Sequence, residues 1–408
     1  MATTHEQNER LTRIGPGTPM GNLLRRYWQP LAPASELVTA PVRKVRIFGE
    51  NLTLYRDRNG DFGLVAERCP HRCLSLEHGI PDEKGLRCAY HGWVFNAGGQ
   101  CVEQPFEERL NPDSHYKDTI KITAYPVKEL GGLLWAYLGP LPAPELPRWD
   151  ILVEDDLDRA IEMVPIPCNW LQCMDNSADP VHFEFLHGKF GNYTLEKMGL
   201  PPRMKTPAHL KIDFDVWRFG IMKRRLLEGD AETVDDWTTG HPLIFPNTLG
   251  QGSDGSATFQ LRLPVDDVNT IQINYRTMRR KPGAAPLPTT VRHLNPFDPA
   301  EQPYTADTIQ KQDYIAWVGQ GAISDRTNEH LTALDKGVIL YHKLLFENMD
   351  KVERGEDPMG IIRDPAENEP KIVIPREKHN LEAFKITDDK EFDRLRESAG
   401  VETIGARI

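Results

Sequence analysis

The chain has 408 residues, of which 39% are hydrophobic and 27% are charged, and its formal net charge is −11. This length predicts two or three domains with sizeable apolar cores. The negative charge argues against nucleic acid or an anionic membrane as the main partner. Six cysteines are too few for a dense disulfide framework, and the sequence has neither an apolar N-terminal region nor an apolar run of membrane-spanning length. We therefore expect a globular protein of the cytoplasm.

The first part of the chain is predicted to be a lead-in segment followed by a β-rich domain. Residues 1–30 form the lead-in, with a turn at residues 15–17 and a short helix at residues 20–27. The β-rich domain covers residues 31–148. Its signals are alternating runs at 45–48 and 52–55, turns at Asn59-Gly60 and Gly98-Gly99, and an apolar run at 133–138. Prolines at 140, 142, 144 and 147 predict a linker at its end.

Two short motifs in the β-rich domain carry metal ligands. Cys69-Pro-His71 is followed, after sixteen residues, by Cys88-Ala-Tyr-His91. With thiolates on one iron and imidazoles on the other, this set predicts a Rieske-type [2Fe–2S] cluster, whose potential of roughly −150 to +300 mV exceeds the about −400 mV of an all-cysteine cluster. The same donors could instead build a structural zinc site. The remaining cysteines are predicted to be buried thiols: Cys73, Cys101, Cys168 and Cys173.

Residues 149–375 are predicted to form a second domain of mixed α and β structure. Strand patterns occupy residues 258–264 and 270–277, and apolar residues at 338, 341, 345, 349 and 352 predict a long helix. A polar C-terminal tail covers 376–408. Gly250-Gln-Gly252-Ser-Asp-Gly255 matches the dinucleotide-binding fingerprint but precedes a strand, so we interpret it as a glycine-rich loop. With no other flavin or nicotinamide signal, the electrons must arrive from another polypeptide.

A second group of metal ligands lies in the second domain, where Asp179, His182 and His187 fall within nine positions. Histidines five residues apart are about 140° apart around an ideal helix. They can bind one ion only if the backbone departs from that geometry, and Pro180 and Gly188 supply two causes. Gly188 is predicted to end the helix directly after His187. The spacing differs from the H-E-x-x-H pair of zinc hydrolases.

Two imidazoles need a carboxylate to complete the facial triad that holds Fe(II). Asp313 is the best candidate, because it lies in a helical stretch, 309–317, whose apolar side would be buried. Asp307, at an expected N-cap, and Asp325, in a loop, are the alternatives. Asp179 stands three residues before His182, so we expect its carboxylate to accept the second imidazole N–H of that ligand rather than to bind iron.

The two metal motifs together resemble those of the oxygenase (α) subunits of Rieske non-haem iron aromatic-ring oxygenases. Further segments are similar to the phthalate dioxygenase-like branch: Gly17-Thr-Pro-Met-Gly21, Tyr27-Trp28-Gln-Pro30, Cys69-Pro-His-Arg-Cys73 and Gly319-Gln-Gly321-Ala-Ile-Ser-Asp325-Arg326. The likeness spans residues 15 to 350, nearly the whole chain. It implies an α+β fold in which a Rieske β-sandwich domain precedes a helix-grip (START-like) catalytic domain, whose antiparallel sheet grips a long helix.

The resemblance also implies cofactors, partners and residue roles. The branch forms homotrimers arranged head to tail and takes electrons from an NAD(P)H-dependent reductase that carries FMN and a plant-type [2Fe–2S] cluster. Asp179 matches the residue that bridges the two metal centres, through His91 of a neighbouring subunit. The implied ligands are Cys69, His71, Cys88 and His91 for the Rieske cluster, and His182, His187 and Asp313 for a mononuclear Fe(II).

The functional hypothesis is an oxygenase component that uses O2 and reductase-derived electrons to hydroxylate or O-dealkylate an aromatic compound in aromatic catabolism. The branch contains ring dioxygenases, aryl-ether cleaving enzymes and O-demethylases, so the reaction stays open. A cation of the second domain could pair with an aromatic carboxylate, and the candidates are Arg203, Lys205, Lys211, Arg218, Lys223, Arg224 and Arg225. A Rieske electron carrier without oxygenase activity is the alternative, but it leaves residues 149–375 unexplained, and a metal hydrolase would leave the first motif unused.

Overall fold

The computed structural model describes residues 3–202, 205, 207–252, 255–297 and 306–376. The chain forms two compact units: a larger one of Met1–Leu23, Arg148–Gly360 and Glu369–Ile408, and a smaller one of Leu24–Pro147 and Ile361–Asn368. This division differs from the predicted domains at two places. The lead-in segment 1–30 is not separate, because residues up to 23 belong to the larger unit, and residues 361–368 return to the smaller unit. From residue 377 onward the predicted tail lies outside the described residues.

The regular elements are as follows, in chain order. The α-helices are α1 (His5–Thr12), α2 (Pro19–Leu24), α3 (Glu36–Thr39), α4 (Pro105–Leu110), α5 (Asp150–Val153), α6 (Trp170–Ala178), α7 (Gly191–Lys197), α8 (Asp235–Thr238), α9 (Ile309–Val318) and α10 (Lys336–Glu353). A π-helix spans Phe183–Phe190, and short 3₁₀ turns occupy Leu76–His78, Tyr116–Thr119, Arg326–Asn328, Ala333–Asp335 and Pro365–Glu367. The strands are β1 (Trp28–Pro33), β2 (Val42–Ile47), β3 (Glu50–Arg56), β4 (Phe62–Ala66), β5 (Ile80–Asp82), β6 (Gly85–Arg87), β7 (Val94–Phe95), β8 (Cys101–Glu103), β9 (Ala124–Tyr125), β10 (Val127–Leu130), β11 (Leu133–Tyr137), β12 (Leu157–Ile166), β13 (His209–Trp217), β14 (Gly220–Leu227), β15 (His241–Ile244), β16 (Thr248–Gly252), β17 (Ser256–Asp266), β18 (Asn269–Arg279) and β19 (Thr290–His293).

The smaller unit is built from three antiparallel sheets, with strand orders β1-β11-β10, β2-β3-β4-β9 and β5-β6-β7-β8. The predicted turns are confirmed: β3 and β4 pair on either side of Asn59-Gly60, and Gly98-Gly99 joins β7 to β8. Gly99 has a positive φ of 79°, and a Cβ there would lie 2.1 Å from the carbonyl oxygen of Ile122. That close approach explains the glycine. The first predicted cluster loop follows β4, and the second joins β6 to β7.

The larger unit is organised around one eight-stranded sheet of order β13-β14-β15-β16-β17-β18-β12-β19. All neighbouring strands are antiparallel except β12 and β19, which run parallel. The strands predicted at 258–264 and 270–277 are confirmed as the central hairpin β17–β18. The expectation of a glycine-rich loop at 250–255 was wrong for its first part, because Gly250 and Gly252 lie in β16. A Cβ at Gly250 would lie 2.9 Å from Pro242 Cγ, so close packing requires that glycine; residues 253–254 lie outside the described residues.

The long helix predicted near the end of the chain is confirmed as α10, and its repeating apolar residues, Val338, Tyr341, Leu345, Met349 and Val352, are buried. At its start, a Cβ on Gly337 would lie 2.2 Å from the carbonyl oxygen of Ala178, so the helix backbone closely approaches the end of α6. This contact fixes the point from which the chain leaves α6 toward residues 179–187. Among the described residues, no helix is both long and apolar enough to cross a membrane.

A buried ionic cluster holds α6 against two later segments. Asp175 of α6 accepts hydrogen bonds from His342 Nε2 of α10 at 2.7 Å and from the Arg326 guanidinium at 2.6 Å. Arg326 is fully buried and belongs to the 319–326 motif. Burial alone would raise the pKa of Asp175, but the charges of His342 and Arg326 outweigh it and hold that pKa below its usual value. Asp175 is therefore an anion that neutralises a buried guanidinium.

Asp175→Asn is expected to lower the free energy of unfolding by about 3–5 kcal/mol, because it leaves the Arg326 charge buried without compensation. The pKa of Asp175 is depressed in the folded state, so its contribution is complete above the ordinary aspartate pKa of about 3.9 and is lost as the pH falls further. Chemical denaturation at several pH values would measure both effects. Asp325→Asn, a change at an exposed carboxylate that caps a 3₁₀ turn, is the control. Equal stability of the two variants at neutral pH would contradict the assignment.

Candidate functional site

The four predicted cluster ligands lie on two loops of the smaller unit that share one hydrogen-bonding pattern. In each loop the cysteine N–H donates to the carbonyl oxygen five residues later, at 3.0 Å from Cys69 and 2.8 Å from Cys88. Each cysteine carbonyl also accepts from the N–H four residues later, at 2.9 Å from Cys73 and 3.0 Å from Gly92. The two loops therefore present their ligands in equivalent ways, as a pair of matched turns would.

Cys73 is exposed, so the prediction that it is a buried thiol was wrong. It occupies the position in the first loop that Gly92 occupies in the second, and both have left-handed backbones, with φ of 58° and 78°. Residues other than glycine rarely adopt this conformation. The other three cysteines of that prediction, Cys101, Cys168 and Cys173, are buried as expected.

The two thiols and the two imidazoles of these loops differ in their exposure to solvent. The Cys69 and Cys88 side chains are buried together, and burial combined with the neighbouring Cys88 raises the pKa of the Cys69 thiol, against the backbone N–H groups of His71 and Arg72. The imidazoles of His71 and His91 are both exposed, and their ring centroids are 4.4 Å apart. Trp93 stacks on His71 at 4.6 Å with nearly parallel rings. A buried thiol pair beside an exposed imidazole pair is the donor arrangement that two differently ligated irons require.

A π-helix solves the spacing problem of the second metal motif. We expected Gly188 to end the helix after His187, and this was wrong: the π-helix Phe183–Phe190 continues through Gly188 and runs directly into α7. In a π-helix the hydrogen bonds run between residues five apart, so such residues lie one turn apart. His182 immediately precedes this segment, and its ring centroid is 5.0 Å from that of His187. The departure from α-helical geometry was predicted, but its form was not.

Three side chains of the larger unit converge on one point. Asp313 Oδ1, on α9, lies 3.2 Å from His187 Nε2 and 3.8 Å from His182 Nε2. One ligand atom from each residue lies within 4.8 Å of the others. Burial would raise the pKa of Asp313, but His187 and His182 outweigh it and lower that pKa, so the group is a carboxylate. Among the described residues, neither Asp313 Oδ1 nor His182 Nδ1 has a hydrogen-bond partner, although both are buried.

The alternative carboxylates are engaged elsewhere. Asp307 pairs with Lys311 at 2.8 Å, and the N-cap of α9 is Thr308 rather than Asp307. Asp325 is exposed and accepts hydrogen bonds from Thr327 and Asn328. Of the three acids weighed from the sequence, the structure thus brings only Asp313 to the two histidines. Its role as an iron ligand stays a prediction.

Asp179 lies beside His182 but is not hydrogen-bonded to its ring. The distance from Asp179 Oδ2 to His182 Nδ1 is 3.6 Å, beyond a normal hydrogen bond. Instead the carboxylate accepts from two backbone N–H groups, of Val181 at 2.7 Å and His182 at 3.2 Å. Burial alone would raise the pKa of Asp179. The lowering effect of His182, the backbone N–H of Val181 and the nearby Lys223 is larger, so the pKa lies below its usual value and the group is ionised.

Among the seven candidate cations, Lys223 and Arg225 are buried. They alternate along β14 and so face the same side of the sheet. Burial, together with Arg225, lowers the pKa of Lys223 to about 8, and its ammonium donates to the carbonyl of Ser177. Arg225 pairs with Asp236 at 3.1 Å and lies over the ring of Phe183 on the π-helix, 4.6 Å from its centroid. Lys211 and Arg224 form surface ion pairs, and Arg203 lies outside the described residues.

Comparison with known proteins identifies both parts of the chain. The family model of the Rieske [2Fe-2S] domain matches residues 27–125. The 5,5'-dehydrodivanillate O-demethylase oxygenase subunit of Sphingobium sp. (strain NBRC 103272 / SYK-6) is 44% identical over 366 residues, which cover 89% of this chain and 84% of that protein. The chain belongs to the Rieske non-haem iron oxygenases. It is an oxygenase subunit of that family, and the electron-carrier alternative does not account for a match of this length.

Two further comparisons bear on the branch and the fold of this Rieske oxygenase. The phthalate 4,5-dioxygenase oxygenase subunit of Pseudomonas putida is 29% identical over 88% of each chain, which confirms the predicted branch. The solved structure of NdmA from Pseudomonas putida CBB5 superposes with a TM-score of 0.60 at 19% identity, over 82% of this chain and 94% of the other. At that identity it supports the predicted α+β fold alone.

Members of this family carry a Rieske [2Fe–2S] cluster and a mononuclear iron, and so does this Rieske oxygenase. The residues described above fit both groups. Two thiols and two imidazoles match the mixed ligands of the cluster. Two imidazole Nε2 atoms and a buried carboxylate oxygen without a hydrogen-bond partner match the facial triad of Fe(II). Gln312 was not identified from the sequence, although Gln312 directly precedes the proposed ligand Asp313. Its amide contacts His187.

Proposed function

We propose that this Rieske oxygenase O-demethylates a methoxylated aromatic acid. The observation that carries the proposal is the convergence of His182, His187 and Asp313 in a chain that is 44% identical to a dehydrodivanillate O-demethylase oxygenase subunit. Aryl-ether cleavage therefore has the stronger support over ring dihydroxylation, which the more distant phthalate enzyme would suggest. We also expect the protein to work in the cytoplasm, where its reductant NAD(P)H is found.

The residue roles follow from donor chemistry and position. Cys69, Cys88, His71 and His91 hold the cluster, and His182, His187 and Asp313 hold the iron. When bound, the cluster supplies single electrons and the iron supplies the site at which dioxygen is reduced. Asp313 contributes the one negative charge of the iron ligand set, and its burial keeps water from competing for that oxygen. We expect Asp179, whose carboxylate lies 3.6 Å from His182 Nδ1, to connect the two centres.

The cluster assignment predicts the effect of His71→Cys. This variant should retain iron and sulfide while its reduction potential falls toward the roughly −400 mV of an all-cysteine cluster, because a thiolate replaces a neutral imidazole. The wild-type protein should be red-brown and, after dithionite reduction, show the low-average-g EPR signal of a mixed-ligand cluster. Potentiometric titration followed by EPR would measure both quantities. A colourless protein that contains only zinc would overturn the assignment.

The electron donor is an NAD(P)H-dependent reductase, and we expect the chain to form a homotrimer in which one subunit's cluster serves a neighbour's iron. Each unit, taken by itself, leaves aromatic side chains exposed beside its own metal residues. Tyr90 is exposed next to His91, with ring centroids 3.9 Å apart, and Phe185 is exposed on the π-helix between the two histidines. Exposed aromatic groups are typical of interface cores. These groups are consistent with an interface, and the trimer expected from the family resemblance should give a particle of three chains in sedimentation analysis.

Arg225 is our candidate for the cation that binds the substrate carboxylate. It is buried, and its guanidinium lies over the ring of Phe183 on the π-helix. Its positive charge also lowers the pKa of His187, against the raising effect of Asp313. Asp236 Oδ2 pairs with its guanidinium at 3.1 Å, and His241 Nε2 lies 2.8 Å from the other oxygen of Asp236. A fixed guanidinium has donors left for a bidentate bond to a carboxylate.

The test compares methoxylated aromatic acids, such as dehydrodivanillate, with their methyl esters. Reconstituted with a reductase, the wild-type protein should release formaldehyde from the acids and strongly prefer them to the esters. Arg225→Gln should reduce the acid-over-ester preference about 10- to 100-fold, the value of a hydrogen bond to a charged group. Using the preference within one protein cancels any loss of folded enzyme. Arg224→Gln, the neighbouring arginine that pairs with Asp213 and Asp215, is the matched control.

Two outcomes would change the proposal. If the protein formed cis-dihydrodiols and no formaldehyde, ring dihydroxylation would replace O-demethylation as its reaction. If Arg225→Gln and Arg224→Gln had the same preference as wild type, the carboxylate would bind elsewhere, and Lys223 would be the next candidate because it is the other buried cation of β14.

A further inference from the structure

His187 is contacted at both ring nitrogens by consecutive residues of α9. Gln312 Oε1 lies 2.9 Å from His187 Nδ1, and Asp313 Oδ1 lies 3.2 Å from His187 Nε2. All three side chains are buried. Consecutive helical residues point about 100° apart, so a ring placed between them can be gripped from two sides. The arrangement leaves the imidazole one orientation in which both contacts are made.

The direction of the Gln312 hydrogen bond follows from its second partner. The oxygen and nitrogen of an amide are assigned from their hydrogen bonds rather than seen directly. Gln312 Nε2 lies 3.0 Å from the carbonyl oxygen of Ala306, which can only accept. The amide nitrogen must therefore face Ala306, and Oε1 must face His187. Since Oε1 can only accept, His187 Nδ1 carries a proton, and Nε2 is the ring nitrogen left to bind a metal ion.

Gly191 supplies the space for this amide. A Cβ on Gly191 would lie 2.8 Å from Gln312 Nε2. Gly191 has ordinary helical dihedrals where the π-helix ends and α7 begins, a position at which glycine is destabilising by roughly 1 kcal/mol relative to alanine. The backbone conformation does not require glycine at residue 191. The close approach of the Gln312 amide explains why a residue without a side chain is found there.

We propose that Gln312 is a positioning residue that holds His187 in the Nδ1-protonated tautomer, so that Nε2 is ready to bind the mononuclear iron. The inference rests on the proposed iron site. The two histidines then differ: Gln312 fixes His187 in advance, whereas His182 Nδ1, 3.6 Å from Asp179, makes no such bond among the described residues. An outer partner of this kind usually contributes 10- to 100-fold to metal affinity or activity.

The first measurement is metal binding in the full-length protein with its cluster retained and its mononuclear iron removed by chelation. Co(II) binding in competition with a chelator should be 10- to 100-fold weaker in Gln312→Leu than in wild type. Gln312→Glu keeps an acceptor for Nδ1–H and should bind within a few-fold of wild type. Gln320→Leu is the matched control, because Gln320 also donates to a backbone carbonyl at the end of α9 but is exposed.

The second measurement reads the tautomer without any metal. In 15N-histidine-labelled protein lacking the mononuclear metal, His187 Nδ1 should be protonated, and the fraction of protonated Nδ1 should fall in Gln312→Leu, where only Asp313 beside Nε2 still favours a ring proton. Gly191→Ala, which displaces the amide, should shift both readouts in the same direction and covers the case in which Gln312→Leu does not fold.

Wild-type affinity and a wild-type tautomer in Gln312→Leu would overturn the inference. If instead Co(II) binding were insensitive to His187→Ala, the proposed iron site itself would be wrong. The tautomer measurement would still decide the role of Gln312.

Discussion

Asp313→Ala is expected to abolish the mononuclear iron site while the absorption and EPR spectra of the Rieske cluster stay unchanged. Asp313 Oδ1 is the only anionic ligand atom of the converging set, and it faces both imidazole Nε2 atoms. Its loss leaves two neutral donors, which hold Fe(II) poorly. The fall in iron affinity and turnover should exceed the 10- to 100-fold effect typical of an outer partner. His182→Ala and His187→Ala should behave in the same way.

The measurement is iron content per cluster, combined with formaldehyde release in the presence of a reductase. Asp307→Ala is the control, because Asp307 lies just before α9 and pairs with Lys311 rather than with the histidines. Full iron occupancy and turnover in Asp313→Ala would show that another group completes the site. Loss of the cluster spectrum in the same variant would show instead that the two units do not respond separately.

Asp179→Asn is expected to keep both metal centres and the oligomer but to stop electrons from passing between them. The carboxylate lies 3.6 Å from His182 Nδ1 and is ionised, whereas an amide removes the charge and half of the accepting capacity. The family resemblance predicts that its other side faces His91 of a neighbouring subunit. Reoxidation of the reduced cluster by dioxygen with substrate present should slow by at least about 100-fold, the upper end for a lost partner of a metal-bound histidine.

Stopped-flow absorbance of the cluster in a single turnover would measure this rate. Asp215→Asn, a change at an exposed carboxylate of β13 that pairs with Arg224, is the control and should reoxidise like wild type. A wild-type rate in Asp179→Asn would exclude it as the bridge. Loss of mononuclear iron from that variant would place Asp179 among the ligands themselves.

The candidate metal residues could be proposed from the sequence because each group is short. Within each pair the two residues are only two to five positions apart, so their spacing and donor type indicate a metal site. The pairs are Cys69 with His71, Cys88 with His91, and His182 with His187. Asp313 could only be ranked against other acids, because a distant ligand is selected by the fold. The structure separates these acids by burial: Asp313 is buried, whereas Asp325 is exposed on a turn.

The local geometry around those residues could not be predicted. A π-helix differs from an α-helix in its hydrogen-bond register, and no residue pattern used in the sequence analysis distinguishes the two. The continuation of the helix through Gly188 was therefore not predicted. The outward position of Cys73 follows from a left-handed turn that most residues avoid. Gln312 was missed because its role depends on His187, 125 residues away. In each case the local structure is determined by a long-range contact or by the backbone conformation rather than by residue type.

Helix α1 is a different case, because its signal was present in the sequence. Thr4 and Gln7 form a capping box, in which the Thr4 hydroxyl accepts from the Gln7 N–H and the Gln7 side chain accepts from the Thr4 N–H. This pattern could have turned the lead-in segment into a predicted helix. The larger unit includes these residues, so the start of the chain contributes to the iron-binding unit and is more than a lead-in.

We propose that this chain uses electrons at its iron site to demethylate an aromatic acid. The most direct test is the ratio of formaldehyde released to NADH oxidised, with an NADH-dependent reductase, dioxygen and dehydrodivanillate. Demethylation consumes one NADH and one O2 for each methoxy group converted to a hydroxyl and formaldehyde, with water as the other product. We predict one formaldehyde per NADH and negligible NADH oxidation without the aromatic acid. NADH oxidation that is independent of the acid and yields only hydrogen peroxide would contradict the claim.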